Sequence, residues 1–188
     1  MAERFQRLRV AGLRRTTADA VVVSFDTPAA FRRFTPGQYL TLRTTIDGQD
    51  VRRCYSICSG LDEPMLQVGI KQLPGGLFST WANTVLREGD TLLVMRPEGN
   101  FGVPIEPAKS RVLAGFAAGS GITPILSIVK SVLARESASR CFLFFGNRAT
   151  SDIMFRDELE DLKDRYLSRL SVFHVLSREQ QELDILNG

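Results

Sequence analysis

From Phe5 to about Arg96 the chain runs in short apolar or alternating stretches: Phe5–Val10, Ala20–Phe25, Tyr39–Ile46, Val51–Ile57, Met65–Lys71 and Thr91–Met95. A period of two, with many β-branched and aromatic residues, predicts strands. Thr35-Pro36-Gly37, Asp47-Gly48, Asp62-Glu63-Pro64 and Glu88-Gly89-Asp90 punctuate them, and Asp47-Gly48 carries the residues of a tight hairpin turn. Leu77–Leu86 departs from this rule, with Leu77, Trp81, Val85 and Leu86 at helical spacing. Six short strands with turns at this density predict a small closed antiparallel barrel.

The pattern then changes. Val103–Lys109 holds two prolines and no periodicity, which reads as a linker. Beyond it strand and helix alternate: Arg111–Ala117, Pro124–Ala134, Cys141–Phe145, Asp152–Lys163 and Leu170–Leu176. That βαβαβ order predicts a parallel sheet with right-handed crossovers. Doubly wound domains ordinarily carry further strands, so the second unit is expected to be incomplete. The expected division is residues 1–105 and residues 110–188.

Charge and cysteine content narrow the partners. A net charge of +3 over 188 residues, mostly from scattered arginine and with no basic run of five, speaks against nucleic acid and membrane surfaces. No apolar run of 18 residues or signal-peptide pattern is visible. Cys54, Cys58 and Cys141 are three in number, which fits a reducing cytoplasm better than a disulfide framework. Three thiolates are also too few for an ordinary iron–sulfur cluster.

Four segments carry candidate chemistry. Gly119-Ser120-Gly121-Ile122-Thr123-Pro124 follows an apolar strand and opens a helix. Its glycines permit a tight turn and close approach of a pyrophosphate to the helix N-terminus, with Thr123 expected to cap that helix. Gly146-Asn147-Arg148 and Ser177-Arg178 end the next two strands. Arginines there, without an early acid, suit a 2′-phosphate and favour NADPH over NADH. Arg53-Cys54-Tyr55-Ser56 ends a barrel strand, and strand alternation predicts Arg53 and Tyr55 on one face. Gly75-Gly76-Leu77-Phe78-Ser79 is a flexible turn entering a helix, a second anion-receptive terminus. The plain alternative is that these are wall residues, solvated loop arginines and structural turns. His174 is expected to be a packed strand histidine, Phe142, Phe144 and Phe145 to lie in a buried strand, and Asp157–Asp164 to form a solvated helix face.

Taken together, Arg-x-Tyr-Ser, then Gly-Gly-x-x-Ser, then Gly-x-Gly-Ile-Thr-Pro, in this order and spacing, resemble the ferredoxin–NADP reductase superfamily. Within it, Arg52–Cys58, Gly119–Pro124 and Phe144–Arg148 are similar to the reductase subunits of phenylacetyl-CoA epoxidase and related oxygenases. The resemblance implies a six-stranded Greek-key FAD-binding barrel followed by a partial Rossmann-like NAD(P)-binding domain. It implies that Arg53 binds the FAD pyrophosphate beside Cys54, that Tyr55 stacks on the isoalloxazine and that Ser56 hydrogen-bonds near N5, making Tyr55 and Ser56 the catalytic pair. Ile70 and Lys71 would line the flavin, and Gly76, Leu77, Phe78 and Ser79 would hold the pyrophosphate. Thr123 would lie between the cofactors, with Gly119, Ser120, Gly121 and Pro124 under the nicotinamide nucleotide. Arg148, Ser177 and Arg178 would face the 2′-phosphate. The implied partners are a ferredoxin-like electron acceptor and an oxygenase. The family's Cys-Gly-Pro segment and its four-cysteine [2Fe–2S] domain have no counterpart in this sequence, so a cluster is expected only in a further domain or a partner. The rival readings are a flavin or nucleotide binder without turnover and a reductase of free flavin.

Overall fold

The computed structural model describes residues 5–180. Six strands build the first unit: β1 (Phe5–Thr17), β2 (Ala20–Phe25), β3 (Tyr39–Ile46), β4 (Gln49–Ser56), β5 (Leu66–Lys71) and β6 (Thr91–Met95). They pair antiparallel in the order β4-β3-β6-β1-β2-β5. The two outer strands meet just past β4, where Ile57 bridges Val68 and the Cys58 N–H donates to the Gln67 carbonyl at 2.9 Å. The sheet thus curls round on itself, as the strand pattern predicts. Helix α1 (Leu77–Thr84) sends Phe78 and Ala82 into the barrel core beside Leu40, Leu42, Val68 and Ile70.

Local chemistry explains the joints. Asp47 and Gly48 both take positive φ, 49° and 77°, the geometry of a hairpin turn whose twist matches its strands. Strand β1 is seven residues longer than the Phe5–Val10 run predicts. Its first part pairs with β6, its second with β2, and the register shifts between Val10 and Gly12. That irregularity turns the corner of the barrel. It also interrupts the alternation, which is why Ala11–Thr17 does not read as strand.

The second unit runs β7 (Val112–Ala118), α2 (Ile122–Arg135), β8 (Arg140–Asn147), α3 (Arg156–Arg165) and β9 (Leu170–Leu176), with the strands parallel in the order β7-β8-β9. Apolar residues of both helices (Leu126, Val132, Leu159) share one core with Cys141, Leu143 and Phe145 of β8. Helix α3 starts at Arg156 rather than Asp152, because Thr150–Asp152 forms a 3-10 turn and Phe155 takes left-handed φ of 60° ahead of it. The opposite sheet face carries an exposed ladder, Phe116 on Phe144 on Phe173, each step 5.0 Å between ring centres. Of the β8 phenylalanines, Phe145 alone is fully buried; Phe142 and Phe144 are only partly so.

The units share a seam. All six residues of β2 are buried: Val21, Val23 and Phe25 belong to the barrel core, Ala20 and Val22 to the core of the second unit. Cys58 joins Ala20 and Val22 there.

Candidate functional site

Parallel strands leave their carboxyl ends at one edge, where the loops that follow them converge. Here that edge faces the barrel across a cleft of about 830 Å³. Ala118 and Gly119 at the end of β7, Gly146, Asn147 and Arg148 at β8, and Val175 and Ser177 at β9 line one side; Asp19, Lys71, Gln72, Leu73 and Pro74 line the barrel side. A second cleft, about 280 Å³, lies between Cys54, Tyr55 and Ser56 of β4 and Ser120, Gly121, Thr123 and Pro124. Gly69, Lys71 and Leu73 complete it, and Lys71 and Leu73 line both clefts.

The turn after β7 is built for close approach. Gly119 has φ of 49°, and a Cβ at Gly119 or Gly121 would meet nothing within 4 Å, so the backbone there stands open. No side chain caps α2; a 3-10 turn, Gly119–Gly121, leads into it, and the Ile122 N–H donates back to the carbonyls of that turn. Thr123 does not cap the helix as expected: it lies one residue inside it, and its hydroxyl donates to the Ser120 carbonyl at 3.0 Å. Pro124 falls within the first turn, where a missing N–H is harmless. Asn147 adds a side-chain amide whose oxygen and nitrogen are both buried without a hydrogen-bond partner. An open glycine turn, an uncapped helix and an unsatisfied amide at one cleft fit a nucleotide.

The barrel wall is equally specific. Tyr55 packs against Phe78 at 5.5 Å between ring centres, and burial pushes its phenol up to about 12, with the Arg53 charge pulling the other way. It is therefore neutral throughout the physiological range. Cys54, Tyr55 and Ser56 all line the small cleft. Gly75 takes φ of 71°, and a Cβ at Gly76 would lie 2.4 Å from Ser79 Oγ, so the turn into α1 requires glycine. Ser79 Oγ accepts from the Leu73 N–H and donates to the Gly76 carbonyl, shaping that turn. No side chain caps α1 either.

Other candidates lie elsewhere. Arg53 is exposed and donates to the Arg52 carbonyl at 2.7 Å, outside both clefts. Ile70 and Phe78 point into the barrel core, while Leu77 is partly exposed. The Arg178 N–H donates to the Arg148 carbonyl, tying β9 to β8 beyond the cleft lining. His174 packs against Phe145 at 5.9 Å, and burial lowers its pKa. Sequence reasoning missed Gly69, where a Cβ would come within 2.7 Å of the Thr123 methyl and 3.0 Å of Phe155 Cζ. A lone glycine inside a strand is a signal of such close approach. Among the described residues no cluster of three metal-ligating side chains occurs, and no helix is long and apolar enough to cross a membrane.

Comparison with known proteins agrees with this geometry. Residues 8–102 match the oxidoreductase FAD-binding domain family and residues 116–188 the oxidoreductase NAD-binding domain family. The chain is 41% identical over 187 residues to a subunit of the 1,2-phenylacetyl-CoA epoxidase of Escherichia coli, covering 98% of this chain and 52% of that protein. It is 39% identical over 157 residues to the ferredoxin reductase component of 3-ketosteroid-9-alpha-monooxygenase from Mycobacterium tuberculosis, covering 82% and 43%. The chain thus spans about half the length of these curated relatives. Among solved structures, the CS-b5R domains of human Ncb5or superpose with a TM-score of 0.80 at 27% identity, covering 96% of this chain and 54% of that one. Plasmodium falciparum ferredoxin-NADP+ reductase gives 0.81 at 19% identity, over 94% and 75%, a likeness of fold. The chain belongs to the ferredoxin–NADP reductase-like oxidoreductases, which join an FAD-binding domain to an NAD-binding domain.

Proposed function

We propose that this chain is the cofactor-binding part of an FAD-dependent NADPH reductase that passes electrons to an iron–sulfur centre serving an oxygenase. Residues 1–105 are the FAD domain in this reading and 110–188 the NADPH domain. The observation that carries it is the joining of two clefts through Lys71 and Leu73, with Tyr55 and Ser56 on one wall and Thr123 and Gly121 on the other. The relatives' roles as components of oxygenase systems support the electron acceptor, a ferredoxin-like domain or protein, and the oxygenase beyond it. Three free thiols suit a reducing cytoplasm.

When bound, flavin supplies the chemistry of taking a hydride from the nicotinamide and giving up electrons singly. The chain's own residues bind and orient. The uncapped start of α1, with Gly76, Leu77, Phe78 and Ser79, receives the FAD pyrophosphate with Arg53 as counter-charge. Tyr55 presents a neutral ring for stacking and Ser56 a hydroxyl for the N5 edge, beside Cys54 and Lys71, with Ile70 backing the wall from the barrel core. Gly119, Ser120, Gly121 and Pro124 receive the nicotinamide nucleotide, and Thr123 separates the two rings. Arg148, Ser177 and Arg178 favour the 2′-phosphate, so NADPH is preferred to NADH.

Anaerobic titration of FAD-loaded protein tests this reading. NADPH bleaches the flavin band, and NADH does so only at higher concentration. A flavin band that neither nucleotide changes would leave a cofactor binder without turnover, and absence of any flavin band would sink the assignment.

A further inference from the structure

Helix α2 is bound to the barrel along one face. Ser127 Oγ donates to the Ser59 carbonyl at 2.7 Å, and the Leu61 N–H donates to Ser131 Oγ at 3.1 Å. Lys130 Nζ pairs with Glu63 at 2.8 Å, and Arg135 holds Asp62 with two nitrogens. A Cβ at Gly60 would lie 3.0 Å from Lys130 Cβ, so the Ser59–Glu63 segment rests directly on the helix. Lys130, only 7% exposed, also pairs with Glu158 of α3, and Glu158 accepts from Arg14 of β1 at 2.9 Å. The charges Glu63, Lys130, Glu158 and Arg14 alternate in sign along a chain that starts and ends on the barrel and crosses both helices between.

An ion network centred on a buried ammonium contributes little net stability over an apolar equivalent; its best-attested use is to fix register. Burial alone would pull the Lys130 ammonium down, but Glu158 and Glu63 outweigh it and hold the group charged. Two helical turns before Lys130, about 10 Å along a stiff rod, the same helix carries Thr123, whose methyl packs against Gly69 in the small cleft. The network at Lys130 therefore fixes where the nucleotide turn meets the barrel wall.

We propose that Lys130 is a positioning residue: its pairs across the seam set the spacing between the Gly119–Pro124 turn and the flavin wall at Tyr55, Ser56 and Gly69. The proposal rests on the reading that the two cofactors meet in that cleft. The seam also contains its own reporter. Cys58 is fully buried against the second unit beside Lys130, and burial pushes its thiol up to about 12, whereas Cys54 is exposed.

Alkylation of the full chain with N-ethylmaleimide, read by peptide mass spectrometry, tests the seam without any cofactor. In the parent protein Cys54 labels quickly and Cys58 is protected. Lys130→Met speeds Cys58 labelling by about tenfold or more while Cys54 is unchanged, and Lys130→Arg restores protection. Cys141, buried in the core of the second unit, is the control for global unfolding. If Lys130→Met exposes Cys141 as well, Glu63→Gln decides, since it removes a barrel-side partner and leaves the Lys130–Glu158 pair. In FAD-loaded protein the opened variant binds FAD within about twofold of the parent, but saturating NADPH bleaches its flavin about tenfold more slowly. Unchanged Cys58 protection in both variants overturns the proposal. Faster labelling with unchanged bleaching reduces the pairs to a structural role and overturns positioning. A parent protein that takes up no flavin sinks the functional reading, and positioning with it, whatever Cys58 does.

Discussion

Gly69 is the position where one missing methyl matters most. Replacing a strand glycine by alanine ordinarily stabilises by about 0.5–1 kcal/mol, through lower chain entropy. Here the added Cβ would meet the Thr123 methyl at 2.7 Å, Phe155 Cζ at 3.0 Å and Met154 Cε at 3.3 Å. Met154 can yield, but Thr123 is buried at 4% exposure on the first turn of α2 and moves only with the helix. Overpacking wins, and Gly69→Ala lowers stability by about 1–3 kcal/mol. Urea denaturation checks this as a lower midpoint at unchanged slope. A raised midpoint would mean that the seam gives way. Gly119 and Gly69 also mark what is legible at this scale. Gly119 sits in a strand-turn-helix pattern that announces its use, whereas Gly69 is one glycine in a six-residue strand whose neighbour comes from 54 residues further along. Arg53 and Ile70 illustrate the converse: a motif names the residue, but local packing decides where its side chain goes.

At the scale of elements, β2 to β9 and all three helices appear where periodicity predicts, and the errors fall at ends. Strand β1 outruns its alternation because of a register shift, and α3 starts late because Phe155 takes a left-handed backbone angle. The acidic face of α3 reads as solvated, yet Glu158 faces Lys130 and Arg14; charge partners from distant elements leave no local trace. Glu136, the residue ending α2, is another such hub. Its fully buried carboxylate accepts from Arg111 Nε and Nη2, the Glu106 N–H and Ser139 Oγ, binding the linker to the helix end. Burial alone would raise its pKa, but these donors outweigh that and hold it below its ordinary value of 4.5. A lowered folded-state pKa gives stability that is complete above the unfolded value and is lost as pH falls through the folded one. Glu136→Gln therefore destabilises by about 3 kcal/mol near neutral pH. The gap from the parent protein stays level down to about pH 5 and narrows below it, as the parent's own carboxylate protonates. Denaturant midpoints across that range check the shape; a gap independent of pH would show that lost packing, not charge, is responsible.

The whole molecule is two units, each with its own core, and β2 contributes side chains to both; that sharing was the least legible feature of all. Six apolar or small residues in β2 announce burial on both faces, but not what covers the outer one. The covering turned out to be the second unit, because Ala20, Val22 and Cys58 lie among the α2 and α3 side chains. In β8 the same ambiguity resolves the other way: Phe144 reads as core, yet it faces outward in the Phe116–Phe173 ladder. Parallel strands are apolar on both faces, so periodicity alone does not rank the faces. Cooperative unfolding follows from the shared strand. Separating the units would expose Ala20, Val22, Ile122, Phe155 and the buried Lys130 network at once, so neither unit opens far without the other. Trp81, the single tryptophan, packs on Phe78 in the barrel and reports that unit through its fluorescence. Helices α2 and α3 supply 24 helical residues against 8 in α1, so far-ultraviolet dichroism reports mainly the second unit. Urea titration followed by both signals should give one midpoint and one slope, the mark of a single transition. Two separated midpoints would show that the seam is weaker than either core, and would return the units to independent domains joined by the Val103–Lys109 segment.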